Sequence, residues 1–209
     1  MYVPGSFAEK DLTALHQLIR RNAFATLVTV GDDSAPVASH VPFLLDAERG
    51  ANGTLLGHLA RANPQWRSFG QDEVLVIFQG PHAYVSPTWY AGGDNVPTWN
   101  YAVAHAYGRP RLLEEAEAVR GVIERLVEVY EGGRSPAWST RSVPAEFVER
   151  LLGAIVAFEI PIGRLEGKFK FNQNKSAADR AGVVSALRAE GGALEAELAD
   201  LMAARTALV

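Results

Sequence analysis

The chain has 209 residues, of which 48% are hydrophobic and 21% are charged, and it contains no cysteine. A chain of this length corresponds to one domain or one and a half, and buries enough surface to fold without disulfide bonds. The lack of cysteine excludes disulfide frameworks, thiolate zinc sites, iron–sulfur clusters and cysteine nucleophiles. The formal net charge of −4 has the wrong sign for a domain that covers DNA phosphates over a broad face.

The N-terminal residues show neither a basic region nor an apolar region of the kind found in signal peptides. The most apolar stretch, residues 151–162, contains Glu159 and Pro161 and is too short to cross a bilayer. We therefore expect a cytoplasmic protein that does not associate with membranes.

The first predicted element is a helix. The sequence Ser6-Phe7-Ala8-Glu9 has the pattern of a capping box, in which the serine and glutamate side chains bond to free N–H groups at a helix start. Four apolar residues then follow at helical spacing, namely Leu12, Leu15, Leu18 and Ile19. Arg20 and Arg21 suit the C-terminal end, where exposed carbonyl groups favour cations.

Short β-branched and apolar segments then predict strands, which cover residues 25–30, 37–45, 54–59, 74–78, 82–85 and 98–111. Helical periodicity returns over residues 119–130 and 144–152, a further strand region spans 155–171, and two helices follow Ser176. Short strands joined by tight turns favour an antiparallel barrel over parallel units. The predicted fold is α+β: an antiparallel β-barrel over residues 1–175, with flanking helices and a C-terminal helical extension, residues 176–209, packed on the same domain.

Two polar segments of these predicted strands are candidates for a site. Ser39 and His40 place hydrogen-bonding side chains on opposite faces of an otherwise apolar strand, although a surface serine and a core histidine would also fit. After the next strand, Asn63 and Pro64 have the sequence of a helix start, with Arg61 beside it. This turn could bind a phosphate or could be an ordinary capped turn.

Two further segments concentrate unusual side chains. Residues 81–90 and 96–101 hold Trp99, Asn100 and several other aromatic residues, a composition that suits stacking on a flat heterocycle and equally suits a subunit interface. Residues 167–175 hold three of the four lysines, and alternation puts Lys168, Lys170 and Asn172 on one face. Those lysines could face a phosphate or nucleic acid, or could protect an edge strand. The histidine spacing does not indicate a metal site.

The chain resembles the PaiB family of FMN-binding negative transcriptional regulators. The resemblance is carried by residues 25–28, 39–42, 57–66, 76–84, 96–101 and 168–175, and most specifically by FQGPHAY at 78–84 followed by VPTWNY at 96–101. It implies a bacterial protein with an FMN-binding split β-barrel, dimeric, with the flavin at the subunit interface.

Similarity to the wider split-barrel flavoproteins implies a role for each site residue. The flavin ring and ribityl chain would be lined by Ser39, His40 and Val41, with Gly57 and His58 on the neighbouring strand. Arg61 and Asn63 would hold the phosphate, where pyridoxamine phosphate oxidases offer several cations. The partner subunit would supply Trp99 and Asn100, and the remaining contacts would come from Lys170, Gln173 and Asn174.

Three functions follow from this resemblance. The first is a negative transcriptional regulator that acts on DNA directly or through another protein. The second is a flavin-dependent oxidoreductase or flavin reductase like the pyridoxamine phosphate oxidases, with His58 or Tyr101 as proton donors. The third is a haem-binding split barrel, which requires a histidine exposed in the pocket. The residues leave open whether the protein is an enzyme.

Overall fold

The computed structural model describes residues 1–31, 33–70 and 72–206, and these residues form ten β-strands and five α-helices. The strands are β1 (Ala8–Glu9), β2 (Phe24–Val30), β3 (Pro36–Pro42), β4 (Leu44–Asp46), β5 (Thr54–Ala60), β6 (Val74–Val85), β7 (Thr98–Gly108), β8 (Arg111–Leu112), β9 (Ile155–Pro161) and β10 (Arg164–Lys170). The helices are α1 (Leu12–Arg21), α2 (Ala116–Glu131), α3 (Ala145–Gly153), α4 (Ala177–Glu190) and α5 (Ala193–Thr206). Helices with antiparallel strands confirm the predicted α+β class.

The chain divides into two compact units that alternate along the sequence. Unit 1 comprises Met1–Arg21, Gln79–Ala104 and Glu166–Val209, and unit 2 comprises Asn22–Phe78 and His105–Leu165. The C-terminal helices α4 and α5 belong to unit 1. The boundary at residue 176 between a barrel domain and an extension packed on it stays a prediction. Residues 207–209 of that predicted extension lie outside the described residues.

In unit 1, the hydrogen-bonded strand order is β1, β10, β7 and the second part of β6. Helix α1 packs closely against this sheet. Leu18 Cδ1 lies only 2.6 Å from the position that a Cβ on Gly80 of β6 would occupy. A Cβ at Gly167 of β10 would similarly overlap Leu15. The two glycines thus allow the apolar stripe of α1 to reach the backbone of the sheet.

The predicted capping box at the start of the first helix is wrong. Gly5–Phe7 forms a 3-10 helix and Ala8–Glu9 forms β1, so α1 begins only at Leu12. The start of α1 is capped instead by Asp11, whose Oδ1 accepts a hydrogen bond from the Thr13 N–H at 2.9 Å. Glu9 is buried and forms an ion pair with Arg205 of α5, a partner that a local sequence rule does not see.

In unit 2, one sheet has the order β6, β2 and β3, and a second sheet has the order β4, β5, β9 and β8. The single predicted strand over residues 37–45 is two strands, which Phe43 separates. Conversely, the two strands predicted at 74–78 and 82–85 form the single strand β6.

The core of unit 2 contains a cluster of phenylalanine rings. The ring centroid of Phe43 lies 5.9 Å from that of Phe78 and 6.1 Å from that of Phe158, both in edge-to-face geometry. Gly57 of β5 is buried beside this cluster, and a Cβ there would lie 3.2 Å from carbon atoms of both Phe43 and Phe158. The absence of a side chain at position 57 therefore permits this packing.

We expect Gly57→Val to lower the free energy of unfolding by about 1–3 kcal/mol, because the added methyl groups would overpack the phenylalanine cluster. Urea unfolding measures this change. Gly121→Ala is the control: its Cβ meets nothing within 4 Å and lies inside α2, so it should leave stability unchanged or raise it. A Gly57→Val variant as stable as the parent would show that the cluster can move aside.

Candidate functional site

Strand β3 of unit 2 has one hydrogen-bonded edge and one open edge. It is the last strand of its sheet, pairing on one side with β2, where Ser39 lies opposite Leu27 and His40 lies opposite Thr26. Opposed residues share a face, so Ser39 and His40 lie on opposite faces, as predicted. The open edge presents backbone N–H and C=O groups that can bind an extended ligand.

The side chain of Asn63 joins β3 to the turn that follows β5. Its Nδ2 donates to Ser39 Oγ at 2.9 Å, and its Oδ1 accepts a hydrogen bond from the Gln65 N–H at 3.0 Å. Pro64–Ser68 forms a 3-10 helix with Asn63 at its N-cap, which confirms the predicted capped turn. The structure therefore brings Ser39 and Asn63 together.

Gln65, which is not among the predicted site residues, holds the same turn against β2 and β3. Its buried Nε2 lies within hydrogen-bond distance of Leu27 O at 3.3 Å, Thr29 Oγ1 at 3.1 Å and Val37 O at 3.1 Å. The turn is thereby fastened to both β2 and β3. A glutamine two residues after a capping asparagine carries no signal of its own, because its partners are distant in sequence.

Arg61 is exposed and lies at the start of this turn. Its Nε donates to Gly153 O at 2.8 Å and its Nη2 donates to Ile155 O at 2.8 Å, which connects it to the end of α3 and the start of β9. A guanidinium group carries five N–H donors, so these two bonds leave donors for an anion. Arg61 is thus oriented by the fold while its charge stays accessible.

The other predicted residues of unit 2 occupy different surroundings. His40 is exposed, with its Nδ1 3.2 Å from Thr26 Oγ1 and its ring 6.1 Å from that of Phe24. Val41 and Gly57 are buried in the core. The assignment of these residues to the flavin remains a prediction.

His58 of β5 is partly buried and lines a small apolar cavity with residues of α2 and α3. Its Nδ1 is buried and has no hydrogen-bond partner among the residues that the structure describes. Burial lowers the pKa of His58 below its ordinary value of 6.5, because the charged imidazolium loses hydration. The imidazole is therefore neutral at pH 7.

In unit 1, aromatic rings gather on the outer face of β6 and β7. Trp99 is 54% exposed, and its ring lies 6.1 Å from that of Tyr84, which is 44% exposed, and 6.3 Å from that of His82. Exposed aromatic residues in contact with one another are typical of ligand-binding or protein-binding surfaces. Trp99 and Tyr84 of the predicted aromatic segments therefore lie on the surface of unit 1.

The lysines of β10 do not protect a sheet edge, because β10 lies between β1 and β7. That interpretation is wrong. Lys170 Nζ donates to Trp99 O at 2.9 Å and to Thr98 Oγ1, and Lys168 Nζ lies 5.4 Å from the ring centroid of Tyr101. Partial burial, and then the charge of Lys168, lower the pKa of Lys170. The ammonium group of Lys170 therefore holds the backbone beside Trp99.

The remaining predicted residues of unit 1 differ in accessibility. Asn100 is fully buried, with its Nδ2 3.5 Å from Met202 Sδ, so its assignment to the flavin rests on the resemblance alone. Gln173 closes the turn after β10, since its Oε1 accepts a hydrogen bond from the Phe171 N–H at 2.7 Å. Asn174 is exposed. Asn172, expected to continue the strand face of Lys170, is buried with φ of 60° and so leaves the strand.

Within the described ranges, no helix is long and apolar enough to span a membrane. No group of three or more histidine, aspartate and glutamate side chains in those ranges could hold a metal ion.

The family model described as "Putative FMN-binding domain" matches residues 1–164, which is more than half of the chain. The chain belongs to this family. FMN is thus the cofactor that the family assigns to it, as the resemblance implied. A protein of Bacillus subtilis named protease synthase and sporulation protein PAI 2 is 34% identical over 203 residues, covering 97% of this chain and 96% of that relative.

The family extends beyond bacteria. An uncharacterized protein of Emericella nidulans is 37% identical over 224 residues, covering 88% of this chain and 89% of the relative. Membership alone therefore does not indicate a bacterial source.

Solved structures of low sequence identity share the fold. The flavocytochrome Anf3 from Azotobacter vinelandii has a TM-score of 0.63 at 13% identity, covering 84% of this chain and 75% of that chain. The FAD and heme binding protein from Mycobacterium smegmatis has a TM-score of 0.58 at 19% identity, covering 83% and 78%. These similarities show that the fold is shared. At such low identity they assign no role to any residue of this chain.

The lowered pKa of His58 predicts a pH dependence of stability. Below pH 6.5, the ordinary pKa of histidine, the unfolded chain binds a proton at His58 that the folded chain binds only at lower pH. The contribution of His58 to the free energy of unfolding therefore declines as the pH falls through this range. Urea unfolding between about pH 7 and pH 5 should show a smaller decline for His58→Phe than for the parent.

The matched control is Val129→Phe, which introduces the same ring at an exposed position of the same unit, removes no titrating group and should keep the parent's decline. An unchanged decline in His58→Phe would mean that His58 titrates alike in the folded and unfolded chains.

Proposed function

We propose that the protein is an FMN-binding split β-barrel of the PaiB type, in which FMN binds at the open edge of β3. The observation that carries this proposal is the linked set Ser39, Asn63 and Arg61, in which a hydroxyl, an amide and an accessible guanidinium lie on adjoining elements of unit 2. FMN needs hydrogen-bonding groups for its ring and ribityl chain and a cation for its phosphate. This donor set fits that need.

Each residue of the set has a distinct role in the proposal. The open edge of β3 and Ser39 Oγ bind the ring and ribityl hydroxyl groups, and Arg61 binds the phosphate. Asn63 orients Ser39 and the turn that carries Arg61. When bound, FMN supplies a ring that accepts and donates electrons.

We further propose that the protein is a homodimer with the flavin at the subunit interface. In unit 2, the outer face of β2 leaves Phe24 71% exposed and Val30 54% exposed. In unit 1, Trp99 and Tyr84 are exposed as described above. Apolar and aromatic side chains of this kind are enriched at subunit interfaces. In this proposal the partner subunit provides Trp99 and Asn100, with Lys170, Gln173 and Asn174 nearby.

The phosphate role of Arg61 can be separated from folding by comparing FMN with riboflavin, which has the same ring and no phosphate. Arg61→Gln should weaken FMN binding by about tenfold or more and leave riboflavin binding nearly unchanged. Titration of the purified dimer, followed by flavin fluorescence, measures both affinities.

Arg109→Gln removes the same charge from an exposed position of unit 2 and is the matched control. Equal loss of FMN and riboflavin binding in Arg61→Gln would contradict a phosphate contact. Failure of the parent dimer to bind either flavin would overturn the proposed function itself.

We propose a role in negative transcriptional regulation. Support comes from the PaiB resemblance and from the 34% identity to the Bacillus subtilis protein, whose name refers to protease synthesis and sporulation. The acidic net charge of −4 favours regulation through a local contact or through another protein over broad contact with DNA phosphates.

A direct role predicts sequence-preferring DNA binding that changes when FMN is added. A gel-shift titration on a pool of DNA duplexes of varied sequence, repeated over a salt series, measures it. The absence of any sequence preference, with and without FMN, would exclude direct repression. Anaerobic loss of flavin absorbance on adding a nicotinamide cofactor would favour the oxidoreductase alternative.

A further inference from the structure

A cavity of about 130 Å³ lies within unit 2, apart from the Ser39–Asn63 pair. It is bordered by β5, the start of β9, helices α2 and α3, and the segment between those helices. Its lining is mostly apolar and aromatic, and includes Ile123, Trp138, Val143, Phe147 and Leu152, with His58 as its one ionisable side chain among the described residues.

The lining includes two polar side chains, the imidazole of His58 and the hydroxyl of Thr140. The buried Nδ1 of His58 has no hydrogen-bond partner within the described ranges, which is costly for a polar atom in apolar surroundings. Because Nδ1 is itself shielded from solvent, a ligand hydroxyl would reach it only when the imidazole ring turns this nitrogen toward the cavity, and that hydrogen bond would remove the cost. Apolar walls with a small number of hydrogen-bonding groups are typical of small-molecule sites.

We infer that this cavity binds a neutral, single-ring aromatic molecule that carries one hydroxyl group, with the ring against the apolar wall and the hydroxyl hydrogen-bonded to His58. This site is separate from the proposed FMN site and does not depend on it.

The volume determines the size of the ligand. An engineered apolar cavity of about 150 Å³ accommodates benzene, so about 130 Å³ suits one ring and not two. Drug-sized ligands occupy roughly 300–1,000 Å³, so neither FMN nor haem fits here. The haem-binding alternative requires a histidine exposed in a pocket that holds haem. His58 does not provide one here, because this cavity is too small for haem.

The lining determines the chemistry of the ligand. A charged molecule would lose its hydration without gaining a countercharge, which disfavours carboxylates and amines. A phenolic hydroxyl both donates and accepts hydrogen bonds, so it pairs with either tautomer of the neutral imidazole.

Entry is available from the segment between α2 and α3. Trp138 in that segment is 43% exposed, and Phe147 and Leu151 of α3 are 38% and 50% exposed, although all three line the cavity. Large apolar side chains that contact both solvent and cavity mark the rim of an accessible pocket.

The test compares phenol with toluene, which have the same number of heavy atoms and differ in the hydroxyl group. Isothermal titration calorimetry on the full-length protein should show phenol binding at about 0.1–1 mM, several-fold tighter than toluene. His58→Phe should weaken phenol by about tenfold and leave toluene within about threefold.

Val143→Trp should abolish binding of both molecules, because the larger side chain occupies the cavity. Val129→Trp, the same substitution at an exposed position of α2 outside the cavity, should leave binding unchanged. Circular dichroism confirms that each variant is folded. If Val143→Trp does not fold, the phenol-to-toluene ratio in His58→Phe decides the question.

Three results would overturn the inference: no phenol binding at several millimolar, equal affinity for phenol and toluene in the parent, or full phenol binding in a folded Val143→Trp. Each readout is made without FMN, so a failure here leaves the proposed flavin site untouched, and a failure of the flavin titration leaves this site untouched.

Discussion

The turn that follows β5 is the part of unit 2 on which the candidate site depends. Within a few residues, Arg61 bonds to carbonyl groups at the α3–β9 junction, Asn63 bonds to Ser39, and Gln65 bonds to the backbone of β2 and β3. Each of these bonds joins segments that are far apart in sequence. Because they hold the turn to distant segments on several sides, these bonds restrict its position relative to β3, and the hydroxyl of Ser39 and the charge of Arg61 are positioned with it.

The cap at Asn63 was predictable from sequence because its rule is local: an asparagine followed by proline at a helix start needs only neighbouring atoms. The same kind of rule failed at Ser6–Glu9. There the glutamate is taken by Arg205, nearly the whole chain away, and the cap moves to Asp11. Local rules therefore hold where no distant charge competes for the side chain, and a single sequence does not show which case applies.

For the histidines and lysines, strand alternation predicts the face of the sheet on which each side chain lies. It placed Ser39 and His40 on opposite faces, and it placed Phe169 and Lys170 on opposite faces, as the structure has them. Alternation does not reveal what covers each face. The resemblance places His58 beside the flavin, whereas residues of α2 and α3 lie against its side chain. The lysines of β10 suggest an edge strand, whereas β10 lies between β1 and β7.

His40 and His58 show that solvent exposure determines which hydrogen bonds a histidine side chain can gain from a ligand. His40 is exposed and already within hydrogen-bond distance of Thr26, so it can exchange partners with water at little cost. The Nδ1 of His58 is buried in apolar surroundings, and burial favours the neutral form of the imidazole because it lowers its pKa. A solvated imidazole suits the rim of a polar cofactor site, whereas a desolvated one gains most from a ligand that brings its own hydrogen-bonding group. The two histidines, both predicted to contact the flavin, are therefore suited to ligands of different kinds.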